Sequence, residues 1–205
     1  MFDCKLQTDP PRGRPGWVTG IASDHFVVAL DGGSLLVHRV QPAGSGKISA
    51  AELIAAGRSL ADGLNEPVAV ALQSDDAEGQ ASEAIALGAD RVYAVRHPLL
   101  STAQPDVQLA ALEQVCQMTA PSLLLTGKTM MGRDLGPRLA FRLGVAAAQD
   151  CVELRVDQSA GRVVARRPVY GGNAMADVTF PGDGVQVVVV RPKTYEALEA
   201  DSSRI

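Results

Sequence analysis

Residues 121–144 read PSLLLTGKTMMGRDLGPRLAFRLG. Pro121–Thr126 is a short apolar run of the kind carried by a strand buried on both faces. A loop with two glycines, Gly127 and Gly132, follows it. A helical period then runs over Leu135–Leu143 and is closed by Gly144. A buried strand, a glycine-bearing loop and a helix in that order make up half of a βαβ unit.

The same alternation extends upstream. Ile48–Ala61 places Ile48, Leu53, Ile54, Gly57, Leu60 and Ala61 on one helical stripe, with Ser49 as N-cap and Glu52 three residues on. Pro67–Leu72 is a buried-type strand, Ala77–Leu87 a helix stopped by Gly88, Arg91–Val95 a strand and Asp106–Thr119 a helix. Before these, His25–Leu30 and Ser34–Val40 are two apolar runs split by Asp31-Gly32-Gly33, the chemistry of a hairpin turn. Asp9–Gly16 reads DPPRGRPG and has no regular structure, as a flexible arm or docking strap would. The last third changes character. Val152–Val156, Arg162–Tyr170, Asn173–Phe180 and Val185–Val190 are β-rich runs with turns and no helical pattern between them. The expected fold is α/β: a mostly parallel, Rossmann-like sheet flanked by helices, with an antiparallel β extension in the C-terminal third.

Composition narrows the function. Among 205 residues the apolar fraction is 46% with few aromatics, so the core is built from Ala, Val and Leu. The formal net charge of −4 and the scattered basic residues leave no nucleic-acid footprint. Arg155, Arg162, Arg166 and Arg167 sit among acids and read as a solvated strand face. Three distant cysteines, Cys4, Cys116 and Cys151, give neither a disulfide framework nor a metal spacing, and no metal site is expected. The opening residues have no apolar h-region, and no run approaches about 18 apolar residues, so no membrane insertion is expected and the cytoplasm is the default location.

Several motifs fail on inspection. Thr126-Gly-Lys-Thr129 resembles the end of a phosphate loop, but Ser122 stands where the first glycine belongs. Gly44-Ser-Gly46 has Ser49 where a dinucleotide loop has its third glycine. His25, His38 and His97 have no nucleophile elbow to work with, so no catalytic residue is assigned. The candidate binding pocket is the strand end and helix entry: Gly127, Lys128, Gly132, Arg133 and Asp134. The plain alternative is that Asp134 caps the helix and Arg133 makes an ion pair. Arg166–Ala174, with Gly171 and Gly172, reads as a hairpin or as a loop laid against a partner or ligand.

Gly132–Gly144 resembles the GRDLAPRLAARLG stretch of electron-transfer flavoprotein alpha subunits, and Arg167-Pro-Val-Tyr-Gly-Gly-Asn-Ala174 resembles that family's RPIYAGNA turn. Val190-Arg-Pro192 is similar to its domain-closing V-R-P, Leu87-Gly-Ala-Asp90 to the G-A-D before its third strand, and Gly46-Lys-Ile-Ser49 to its first strand-to-helix junction. The resemblance implies an adenine-nucleotide-hydrolase-like domain over 34–192, an arm and extra strand over 1–33, and a tail over 193–205. It also implies a beta-type partner subunit, FAD in the assembled complex and AMP in the partner, with a flavin dehydrogenase or quinone reductase as further partners. Partner contacts would fall on Arg167, Tyr170, Gly171 and Asn173. The family's flavin-holding motifs, G-Q-T-G and S-G-A-x-Q-H, have no counterpart in this sequence. The expected role is therefore a scaffold that lacks the FAD-binding domain and does not hold flavin alone. The other reading is a free-standing adenine-nucleotide binder of the universal-stress-like superfamily. A third is a module whose arm, Met1–Gly16, docks to a dehydrogenase.

Overall fold

The computed structural model describes residues 26–29, 35–38, 50–73, 77–101 and 104–204. Strands β2 (Leu35–His38), β3 (Val68–Gln73), β4 (Arg91–Val95), β5 (Leu123–Gly127), β6 (Ala147–Cys151) and β10 (Gln186–Val190) form one parallel sheet in the order β4-β3-β2-β5-β10-β6. Helices α1 (Ala50–Leu64), α2 (Ala77–Ala86), α3 (Pro105–Thr119) and α4 (Met130–Arg142) supply the crossovers. Strand β1 (Phe26–Ala29) is registered antiparallel on β3 and β5, not on β2 as a hairpin. Strand β2 pairs in parallel with those same two strands, β3 and β5. The turn between β1 and β2, the arm 1–16 and Ser49 lie outside the described residues.

Side chains alternate across the sheet and fill two cores. Ala69, Ala71, Leu124 and Val187 face α3 and α4. Val68, Val70, Leu72, Leu123, Leu125, Val188 and Val190 face α1, α2 and a second sheet. That second sheet is antiparallel, β7 (Glu153–Asp157), β8 (Arg162–Val169) and β9 (Ala174–Val178), in the order β7-β8-β9. Gln186, 3% exposed at the start of β10, joins the two sheets. Its side-chain oxygen accepts from Val163 N at 2.9 Å, and its amide nitrogen donates to Val163 O at 2.7 Å.

The extension expected from sequence is present, with two corrections. Val185–Val190 belongs to the parallel sheet, where Val187–Val190 are buried between β5 and β6. Strand β6 was absent from the sequence reading because Gln149 and Asp150 interrupt its apolar run.

After β10 the chain does not leave the fold. Lys193 N donates to a Glu52 carboxylate oxygen in α1, and Tyr195 packs against the core between the sheets. Leu198 lies against Gly88, Asp201 N donates to Ala86 O, and Arg204 pairs with Asp90 before β4. Residues 193–204 thus form a strap from the carboxyl end of the parallel sheet to its amino end.

Candidate functional site

Gly127 ends β5, and the chain turns at once into α4. Thr129 is the N-cap: its hydroxyl accepts from Gly132 N at 3.0 Å. The helix therefore begins at Met130, five residues before the expected Leu135, and Asp134 is not its cap. Asp134 pairs instead with Arg138 at 2.9 Å, one turn on, while Arg133 is exposed and makes no ion pair among the described residues. Gly132 sits where a Cβ would collide with the Gly127 carbonyl and crowd Thr126 Oγ1 at 2.7 Å. The glycine permits close helix–strand contact there and leaves no cradle for a ligand.

Three neighbouring strands, β5, β10 and β6, end beside one another and bring together residues that the sequence reading kept apart. Val189 partners Gln149 and Val190 partners Cys151, so Asp150 is the extra residue of a bulge, at φ +65°. Its carboxylate accepts from Arg191 Nε and Nη2 at 2.8 and 2.7 Å, and Lys128 Nζ lies 2.7 Å away. Bonding to Arg191 holds the Asp150 carboxyl well below the usual carboxylate range; burial opposes this and Lys128 reinforces it. Lys128 N also donates to Val190 O. The sequence reading named Lys128 but missed Asp150 and Arg191. Only the V-R-P motif hinted at the latter.

The hairpin reaches the same pole. Val163 is tied to the start of β10, whereas Arg166 O accepts from Val152 N just past the end of β6, so β8 runs toward the carboxyl ends. The tip beyond it carries Tyr170, Gly171 and Gly172 at φ +50°, +67° and +96°, with Asn173 Nδ2 bonded to Tyr170 O. Tyr170 is 85% exposed in a conformation that disfavours a bulky side chain. Arg167, three residues before the tip, lies close enough to Cys151 to favour its thiolate, and its Nε is buried without an acceptor. Both candidate groups thus lie at the carboxyl end of the parallel sheet.

Of the remaining arginines of the β face, Arg155 and Arg166 form an exposed ion-pair network, whereas Arg162 buries its Nε without an acceptor and donates to Gly184 O at 2.8 Å. Arg166 and Arg155 both bond Asp177, at 2.7 and 3.1 Å, and Arg166 also reaches Glu153. Bonding to Arg166 brings Asp177 down to about 2. Burial pushes the Cys116 and Cys151 thiols up to about 12, which removes them as nucleophiles at neutral pH.

The outer edge of the hairpin is open. Leu154 N points away from β8, which fixes the alternation across the sheet: Glu153 and Arg155 face β8 with their main-chain groups. Carried through β8, the same alternation aims Ala174, Ala176 and Val178 at β8, and turns the N–H and C=O of Met175 and Asp177 outward. Among the described residues neither outward N–H finds an acceptor.

Flavin is the group implied by the resemblance, and these residues do not fit it. Lys128 and Arg191 are committed to Asp150, and the space at Gly132 is filled by backbone. Among the described residues no cluster of His, Cys, Asp and Glu could hold a metal, and no helix is long and apolar enough to cross a membrane.

A family model described as the electron transfer flavoprotein domain matches residues 34–205. The electron transfer flavoprotein subunit alpha of Thermoanaerobacterium thermosaccharolyticum is 34% identical over 155 residues, covering 76% of this chain and 47% of that protein. That of Megasphaera elsdenii is 36% identical over 152 residues, covering 74% and 45%. Protein FixB of Azorhizobium caulinodans is 37% identical over 157 residues, covering 75% and 42%. The chain spans a little under half the length of each of these relatives. It belongs to the electron transfer flavoprotein family, on the alpha-subunit side.

Proposed function

We propose that this chain serves as the scaffold and docking part of an alpha-type subunit in a flavin electron-transfer complex. In this reading a beta-type subunit seats on the β8–β9 hairpin, contacting Arg167, Tyr170, Gly171 and Asn173. FAD belongs to the assembled complex and is not held by these residues alone; AMP, where present, lies in the partner. A flavin dehydrogenase or quinone reductase completes the relay, in the cytoplasm. The unit 34–192 is the docking body.

The observation that carries this reading is the open β9 edge beside an exposed tyrosine on a constrained tip. Outward main-chain groups at Met175 and Asp177 suit strand addition, and Tyr170 suits an anchor in a partner's pocket. The adenine-nucleotide reading has less support, because Lys128 and Arg191 both bind Asp150 and a backbone carbonyl fills the space at Gly132.

The test is co-expression with a beta-type subunit. The chain alone should be colourless, and the pair should co-purify as a stable complex. Met175→Pro removes one outward N–H while sparing the β8–β9 ladder. It should weaken association by about tenfold or more with an unchanged melting temperature. A yellow isolated chain with stoichiometric FAD would overturn the proposal.

A further inference from the structure

The antiparallel sheet has two outer edges, and the chain treats them differently. At β9 the Met175 and Asp177 groups face outward with no partner among the described residues. At β7 the outward N–H of Leu154 donates to the Tyr195 hydroxyl at 2.9 Å, while that of Val156, two residues on, has no acceptor among the described residues. Tyr195 comes from the strap, not from either sheet. Its ring packs against the core between the sheets, and burial pushes its hydroxyl up to about 12, so it stays protonated and neutral beside β7. The strap is anchored on both sides of this contact: Lys193 N on Glu52, with Lys193 at φ +61°, and Asp201 N and Arg204 on Ala86 O and Asp90. Arg58 and Val68 N share the Asp90 carboxylate, so the far anchor is built into the fold.

Edge strands are templates for unwanted pairing, and proteins cover those they do not use. We infer that segment 193–204 is an edge guard: Tyr195 caps β7 at Leu154, so that strand addition to this sheet favours β9. The guard rests on the docking reading for its purpose, but it can be measured without any partner.

The measurement is amide hydrogen exchange on the whole chain. Met175 and Asp177 should exchange freely and Leu154 slowly. Tyr195→Phe keeps the ring and removes the acceptor, and should speed Leu154 exchange by about tenfold while leaving the core amide of Val188 unchanged. Tyr195→Ala removes the cover as well, and should add concentration-dependent self-association in sedimentation, with Val188 exchange again reporting an intact core. Unchanged Leu154 exchange in Tyr195→Phe overturns the guard. So does an intact Tyr195→Ala that sediments like the wild type, which would leave Tyr195 as a packing residue only. Failure of the docking reading appears elsewhere, as Met175 and Asp177 amides that stay unprotected when a beta-type subunit is added.

Discussion

Asp150 is the residue on which the strand ends depend. It accepts a positive φ, carries the bulge and binds two cations from neighbouring strands. Asp150→Asn preserves tolerance of that backbone conformation and removes only the charge. It should cost about 1 kcal/mol at pH 7, because Lys128 and Arg191 are exposed enough to be solvated when unpaired. The folded carboxyl titrates below its ordinary value of 3.8. Its stabilisation is therefore fully present above that value and is lost as pH falls through the lower folded value. Denaturant melts of the two proteins should converge as the solution is acidified below about pH 4. Gly132→Ala makes a harsher demand, since the new methyl meets the Gly127 carbonyl, which cannot rotate away. A loss of about 2–3 kcal/mol is expected from urea melts. Equal stability of Gly132→Ala and wild type would mean that α4 is free to slide off β5.

Among the elements, the joint between the sheets is the most exacting. Gln186 imitates a strand edge, presenting one acceptor and one donor to Val163. Gln186→Leu fills similar space but leaves a buried N–H and C=O without partners. It should cost about 2–4 kcal/mol and release exchange at the Val163 amide. A stable variant with a protected Val163 would contradict this. The elements themselves differed in how clearly the sequence announced them. Arg91–Val95 matched its strand residue for residue, because an apolar run between turn signals has few other readings. Strand β6 escaped because AAQDC alternates poorly and carries the bulge. Gln186–Val190 was assigned to the extension through its neighbours in sequence, although a continuous apolar run is itself the mark of a central parallel strand. The start of α4 was missed because Met130–Asp134 shows no helical stripe, and only Thr129 marked the boundary. The Asp150–Arg191 pair could not be read at all: the partners are 41 residues apart, and a register shift brings them together.

At the scale of the molecule, motif order along the chain revealed the family before geometry did, while the working surface depended on how the two sheets meet. Lys128 and Arg191 at the carboxyl ends are held by Asp150, and the open main-chain groups lie on the hairpin. That division supports a protein that presents an edge to a partner more than one that encloses a small molecule. The strap adds a mechanical consequence. A pull applied at residue 204 first loads the Arg204–Asp90 contact, then Leu198, then Tyr195, one after another, as a strip is peeled. Only afterwards does tension reach β10, which is held along both sides by β5 and β6 and must be sheared, with several hydrogen bonds loaded at once. The segment acts as a sacrificial fuse, yielding at low force and shielding the central strand from whatever tugs on it.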